Sequence, residues 1–157
     1  MPGLTFKCWL VALLLARTCA ACVAQQVPRV NVIISMNGDV PTGFITDFKT
    51  TVVWDSAHQE VFSTPYYPGS LTVDAAMYQK MAQRAPQAVS FRFYHTAVVN
   101  NKTRTRAYEV QVSPAFVHYR FYVISFVDHA AGYTYNLSSP EGQVIGNTVR
   151  LPAKARK

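Results

Sequence analysis

Six segments of the chain share an extended, period-two pattern that leaves little choice of fold class. They are rich in β-branched and aromatic residues, which favour strands, and short polar turns follow several of them. The segments cover residues 30–36, 44–54, 89–99, 103–112, 117–127 and 144–151. Several strands separated by turn signals predict a mainly β domain, built as an antiparallel β-sandwich.

One segment, "LTVDAAMYQKMAQRAP", breaks the strand pattern. Asp74 is suited to cap the first turn of a helix, and Val73 and Tyr78 have the spacing of a hydrophobic staple. Pro86 stops a helix that approaches it. The segment therefore predicts one short helix, near 75–84, inserted among the strands with one side packed on a sheet. The alternative is a coil in which this spacing is accidental.

The first 24 residues have the three-part composition of a secretory signal. Lys7 precedes an apolar run from Cys8 to Ala16, and small residues follow as far as Ala24. The run is shorter than the roughly 20 residues that cross a bilayer. We therefore predict a cleaved signal peptide over 1–24, a secreted or lumenal protein, and no stable membrane insertion after cleavage. A signal anchor that stays in place is the alternative.

The positions of the cysteines and the net charge indicate how the exported chain is stabilised and which partners it favours. All three cysteines, Cys8, Cys19 and Cys22, lie in the predicted signal peptide. The remainder would then have no disulfide and would depend on burial in one core. We predict a single β-sandwich-like domain over 25–151, followed by a basic tail over 152–157. With 15 basic and 8 acidic residues in the whole chain, the charge favours anionic partners.

The last part of the chain carries a series of residues at family-like positions. The series is Val112, Pro114, Tyr119, Phe121, Val123 and Gly132. An apolar residue and a proline, then an alternating Tyr-x-Phe-x-Val strand and a glycine-bearing turn, resemble the end of a fibronectin type III domain. The resemblance covers about residues 108–151, and Trp54 stands where that family has a buried tryptophan. It implies a β-sandwich of fibronectin or immunoglobulin type, and a fold alone implies no function.

The segment 117–127 raises the question of which face is buried. Read at period two, one face holds Tyr119, Phe121, Val123, Ser125 and Val127. The other begins with His118 and Arg120 and becomes apolar further along. We predict that the first face lines the core. Tyr122, Ile124 and Phe126 on the second face would then be covered by the helix or by a partner.

Residue patterns of the familiar catalytic sites are missing beyond the signal peptide. No cysteine, no G-x-S-x-G motif and no glycine-rich phosphate loop occurs there. In "DSAHQE", Asp55, His58 and Glu60 lie close together, but a metal site would need further ligands, such as His95, His118 or His129. We predict a protein without catalytic residues, metal or cofactor. The alternative is a small secreted hydrolase or metal-dependent enzyme that uses His58.

Basic residues are the stronger functional signal. Lys102, Arg104 and Arg106 have the period of a strand and would project from one face, with Tyr108 continuing the row. The tail adds Lys154, Arg156 and Lys157. These seven residues predict a surface for an acidic protein or a sulfated glycan, and the exported location argues against nucleic acid. The alternative is an edge strand that charge protects from pairing.

Two sequons and two tyrosine-rich segments complete the prediction. Asn101 in "NKT" and Asn136 in "NLS" predict glycosylation. The segments "STPYYPGS" and "GYTYNLSS" are predicted as loops, either contact loops or packed turns, because tyrosine is favoured at recognition surfaces. The chain is thus interpreted as a secreted, non-enzymatic binding module. A structural accessory subunit of a cell-surface or lumenal complex is a further alternative.

Overall fold

A computed structural model describes residues 29–41, 44–118, 121–139 and 144–150 of the chain. The predicted signal peptide and the basic tail lie outside the described residues. So does Tyr119, which the resemblance to fibronectin domains used.

The described residues form ten strands and one α-helix in two sheets, which confirms the mainly β prediction. The strands are β1 Arg29–Met36, β2 Phe44–Asp55, β3 His58–Ser63, β4 Tyr66–Tyr67, β5 Ser70–Thr72, β6 Ala88–Val99, β7 Lys102–Val112, β8 Phe121–His129, β9 Gly132–Ser138 and β10 Val144–Arg150. The helix α1 spans Ala75–Gln83, and a 3-10 turn spans Phe116–His118.

The two sheets differ in how their strands are connected. The first has the order β10-β9-β8-β1-β5-β4 and the second β3-β2-β6-β7. All pairings are antiparallel except β1 with β8, which run parallel from Asn31 opposite Phe121 to Met36 opposite Phe126. The whole second sheet lies between β1 and β8 in the sequence. The first sheet is therefore completed only by the second half of the chain.

A long hairpin of β6 and β7 dominates the second sheet. Its register runs without interruption from Val89 opposite Val112 to Val99 opposite Lys102. Asn100 and Asn101 form the turn with φ values of 51° and 58°. Two left-handed residues match the twist of a two-residue hairpin, and asparagine tolerates that conformation better than most residues.

Both sheets contribute to one aromatic core. The ring of Phe126 on β8 meets that of Phe93 on β6 edge-on, with centroids 5.6 Å apart, and meets Tyr108 on β7 at 5.0 Å. Tyr133 on β9 lies 4.9 Å from Tyr108. Edge-to-face aromatic pairs of this kind contribute beyond their buried area.

The predicted core face of β8 was wrong. Tyr122, Ile124 and Phe126 are at most 1% exposed, whereas Val127 on the predicted face is 46% exposed. The reason is where the strand begins: β8 starts at Phe121, so His118, which made the buried face look polar, belongs to the preceding 3-10 turn. Aromatic rings of the second sheet contact Phe126.

The helix prediction is confirmed. Asp74 is the N-cap, with an extended backbone, and its carboxylate accepts a hydrogen bond from the Met77 N–H at 2.9 Å. Met77 is fully buried. The helix ends at Gln83, one residue before the predicted end.

Two segments predicted as loops are strands. "GYTYNLSS" contains β9, in which Tyr133 and Tyr135 are each 2% exposed. Within "STPYYPGS", Tyr66 and Tyr67 form the short β4, and Tyr67 alone of the pair is largely exposed. These tyrosines have polar neighbours, which are typical of loops. Their alternation with exposed or half-buried residues in β9 is the strand signal that was missed.

Candidate functional site

The inward-facing row of the β6–β7 hairpin opens to solvent toward the turn. On β6, Phe93 is fully buried, His95 and Ala97 are half-buried and Val99 is exposed. On β7 the same change runs from the buried Tyr108 through the half-buried Arg106 to Arg104 and Lys102, which are exposed. The hydrophobic row of the core thus continues as a basic row at the open end of the hairpin.

A cleft of about 830 Å³ lies at this open end. One wall comes from the hairpin and includes His95, Arg104 and Arg106. The other wall comes from the first sheet, where Asn37 follows β1 and Asp128 lies near the end of β8. Cationic side chains therefore line one side of a cleft that is large enough for part of a chain-like ligand.

Asp128 organises the floor of the cleft. Its Oδ1 accepts from Arg106 Nη1 at 2.7 Å, and its carboxylate also accepts from the Tyr108 hydroxyl at 3.0 Å. Arg106 Nη2 donates to the Gly132 carbonyl at 2.7 Å. The Asp128 backbone N–H donates to Asn37 Oδ1 at 2.8 Å. These bonds fix Arg106 in place and offset its charge.

The environment of Tyr108 keeps its hydroxyl protonated. Burial raises the pKa of Tyr108, and the neighbouring charge of Asp128 raises that pKa further. A protonated hydroxyl can donate to the carboxylate, which is the bond observed. Because Tyr108 is only 2% exposed, it does not extend the exposed row that the sequence predicted.

Fewer residues are therefore available to an anionic partner than the seven that the sequence predicted. Lys102 and Arg104 are exposed, and neither makes an ion pair within the described ranges. Arg106 is paired with Asp128. Lys154, Arg156 and Lys157 lie outside the described residues. Two unpaired cations, on one face of one strand, are what the structure offers to a partner here.

His95 lies opposite Arg106 in the hairpin register. Its Nε2 atom is buried and has no hydrogen-bond partner in the part of the chain that the structure describes. Burial lowers the pKa of His95, and the charge of Asp128 opposes this only in part. The imidazole is thus held in its neutral form near neutral pH.

The "DSAHQE" segment forms the β2–β3 turn and the start of β3. His58 Nε2 lies 3.1 Å from Glu60 Oε1, and Lys80 on the helix pairs with the other oxygen of Glu60. Arg84 pairs with Asp55 at 3.0 Å. These carboxylates bind cationic side chains. Among the described residues, no three histidine, cysteine or acidic side chains cluster so as to hold a metal.

Pairing also tunes the acidity of these two carboxyl groups. The hydrogen bond from Lys80 is the main reason that the pKa of Glu60 lies below its usual value. For Asp55, the Ala57 backbone N–H is the main cause of a lowered pKa, followed by Arg84. Both groups are thus charged near neutral pH. His95, His118 and His129 do not join His58 in a metal-binding cluster within the described residues.

The two sequon asparagines are both exposed, in different settings. Asn101 lies in the β6–β7 turn, next to Lys102. Asn136 lies within β9, where its side chain points away from the core face that holds Tyr135 and Leu137. Asn101 thus lies in a turn, whereas Asn136 lies in a strand within a segment that was predicted as a loop. Glycosylation of either residue stays a prediction.

Sequence reasoning missed the contribution of β9 to the neighbouring edge. The Glu109 N–H donates to the Tyr133 hydroxyl oxygen at 2.6 Å, and that hydroxyl donates to the Glu109 carbonyl at 3.0 Å. The Gln111 N–H donates to the Tyr135 hydroxyl oxygen at 3.0 Å. Two tyrosine hydroxyls of the first sheet thus form hydrogen bonds with backbone groups of β7 in the second sheet. The alternation of Tyr133, Tyr135 and Leu137 was the only signal that could have placed them inside.

In the described part of the chain, no helix has the length and apolar character needed to span a bilayer. Comparison with protein-family models, curated proteins and solved structures gave no match to this chain.

Proposed function

We propose that the protein is a secreted or lumenal, non-enzymatic module that binds an anionic partner at the open end of the β6–β7 hairpin. The observation that carries the proposal is the position of Lys102 and Arg104. Both project from one face into solvent without an acidic partner among the described residues. Arg104 lines the cleft, and Lys102 lies opposite the cleft residue Val99 in the hairpin register. Unpaired cations at such a place raise the local concentration of anionic ligands and speed their association.

The proposed architecture is a β-sandwich of fibronectin or immunoglobulin type with α1 as an insertion. Two sheets that share one core support a sandwich, and the buried Trp54 on β2 supports the type. The parallel pairing of β1 with β8 is a departure from a purely antiparallel design. An experimental structure of the exported chain, compared strand by strand with those families, would test the type.

Retention on immobilised heparin, a polyanion probe, tests the proposed function. The double variant Lys102→Gln/Arg104→Gln should bind about ten-fold more weakly, because two exposed charge contacts contribute about 1.4 kcal/mol together. The difference should shrink as salt is raised, because screening weakens exposed charges. Conversely, Asp128→Asn should strengthen retention, because it releases Arg106 from its carboxylate partner.

A control variant removes the same formal charge from the opposite face of the same sheet, where Lys49 is paired with Asp47. Lys49 on β2 and Arg92 on β6 lie opposite each other in register and face away from the core. Lys49→Gln/Arg92→Gln should bind heparin nearly as well as the natural chain. Equal losses in the two double variants would mean that retention follows net charge alone, and the proposed site would be abandoned.

The enzyme alternative has less structural support. Asp55 and Glu60 are both paired with cations, which leaves His58 without a free carboxylate or a nucleophile among the contacts described for it. The accessory-subunit alternative would require a large apolar surface. Phe44, Tyr67 and Val98 are exposed apolar side chains, and the binding proposal does not use them.

A further inference from the structure

β7 is an edge strand of the second sheet, and part of its edge is closed. Glu109 and Gln111 direct backbone groups away from β6, and the phenols of Tyr133 and Tyr135 bind them. A strand that presents unpaired backbone groups is a template for pairing with another strand. The two tyrosines remove that opportunity along the part of β7 that lies beside the core.

The other part of the same edge is open. Backbone groups alternate in direction along a strand, and the β6–β7 register has no bulge. The N–H and C=O groups of Thr103, Thr105 and Ala107 therefore point outward, as those of Glu109 and Gln111 do. None of these three residues has a backbone partner at that edge within the described ranges. The edge is closed at one end and open at the end that leads to the turn.

The charge of the neighbouring side chains determines which kind of strand could pair with the open edge of β7. Lys102 and Arg104 project unpaired from one face of this open stretch, beside Arg106, which Asp128 neutralises. A strand laid beside the stretch would therefore place its own side chains next to two free cations. A second copy of β7 is a poor occupant, because like charges opposite each other are destabilising. A strand with acidic side chains at alternate positions is complementary to the row.

We propose that the anionic partner is an extended acidic peptide segment, which adds to the Thr103–Ala107 edge of β7 as a further strand. The inference rests on the proposed function and specifies the partner class. Backbone hydrogen bonds to the open edge would supply affinity, and alternate acidic side chains beside Lys102 and Arg104 would supply selectivity, as in other cases of strand addition. The phenol of Tyr133 occupies the backbone groups of Glu109. It therefore ends the open edge and limits the register in which the added strand can pair with β7.

Backbone methylation of the ligand separates strand addition from charge attraction. The probe is a short peptide that alternates glutamate and threonine, in two versions with equal charge. One version carries N-methyl groups on its glutamates and the other on its threonines. Only one of the two sets of N–H groups can face β7 in a strand. We expect the two versions to differ by about ten-fold or more in affinity for the natural full chain, since several hydrogen bonds are lost in one only.

A variant of the protein tests the same edge from the other side. Thr105→Pro removes an outward N–H, which proline tolerates on an edge strand, and leaves the basic row intact. The unmethylated peptide should bind about ten-fold more weakly, while heparin retention is unchanged. Thr105→Val is the control, because it loses the hydroxyl contact with Thr96 and keeps the N–H.

The outcomes of these experiments distinguish strand addition by a peptide from the broader proposal that the hairpin binds an anionic partner. Equal affinity of the two methylated peptides, or no binding of the parent peptide, overturns strand addition even if Thr105→Pro fails to fold. Heparin retention that still depends on Lys102 and Arg104 would then leave the proposed function standing, with a sulfated glycan as its ligand. Loss of that dependence as well would overturn both.

Discussion

The imidazole of His95 lies opposite Arg106 on the β6–β7 hairpin, and its buried Nε2 has no described partner. Protonation would add a second cation beside Arg106, while Asp128 already receives bonds from Arg106 and Tyr108. Desolvation is therefore the main cause of the lowered pKa, and the attraction of Asp128 compensates it only in part. A neutral histidine suits this position, and a charged one does not.

A stability change at mildly acidic pH follows. The pKa of His95 lies below the ordinary value of 6.5 in the folded protein, so the unfolded chain takes up a proton first as the pH falls. The free energy of unfolding should therefore decrease as the pH drops through 6.5, and level off below the folded pKa. Urea unfolding of the natural chain and of His95→Gln at pH 7.5 and 5.5 measures this, and the variant should lose less stability.

The control for this measurement is His118→Gln, at an exposed histidine of the 3-10 turn. The pH window lies above the range where Asp55 and Glu60 titrate, because the pKa values of both are lowered from ordinary values near 4. Were His95→Gln to show the same decrease as the natural chain and the control, the assignment to His95 would be wrong.

Among the elements, the helix was the most predictable because its signals are local. Asp74, the spacing of Val73 and Tyr78, and Pro86 act within a few residues of the helix itself, and the structure reproduces the cap. β4 and β5 were missed because they are only two and three residues long, and such short strands depend on their neighbours. β3 is six residues long, and it was missed because it begins with the polar residues His58, Gln59 and Glu60. β9 was missed because Tyr133 and Tyr135 stand among polar residues in the sequence, although their side chains are buried in the core.

The N-cap of the helix can be tested by substitution. Asp74→Ala removes the acceptor of the Met77 N–H and should lower the free energy of unfolding by about 1 kcal/mol. Asp39→Ala is the control, because the Asp39 carboxylate makes no hydrogen bond or ion pair with the residues that the structure describes. Thermal unfolding followed by circular dichroism compares the two. Equal, small effects would mean that packing of Met77 alone holds the helix start.

The arrangement of the two sheets could not be predicted from the sequence. Periodicity gave the strands of the β6–β7 hairpin closely, since hairpin partners are neighbours in sequence. It could not give the parallel pairing of β1 with β8, because nothing local specifies a distant partner. The cleft could not be predicted either. The strand period indicates that Lys102, Arg104 and Arg106 form a row, but Asp128, which neutralises Arg106, comes from the other sheet.

The corrected face of β8 can be tested by adjacent substitutions. Phe126 is 1% exposed and contacts aromatic rings of both sheets, so Phe126→Ala should cost about 3–5 kcal/mol of stability. Val127→Ala, at the next residue on the half-exposed face, should cost less than about 1 kcal/mol. Chemical unfolding measures both. A larger loss at Val127 would restore the face that the sequence had favoured.

The parallel pair of β1 and β8 also sets the order in which this molecule can be assembled. Ninety positions separate Asn31 from Phe121, its partner across the pair, whereas the β6–β7 hairpin closes around a two-residue turn. As the chain emerges from the ribosome, β1 appears early and must wait for β8. Until then the edge of β1 that β8 will occupy is unpaired. Slow closure of such distant pairs leaves an apolar strand open to aggregation, so this protein should depend on chaperones more than its small size suggests.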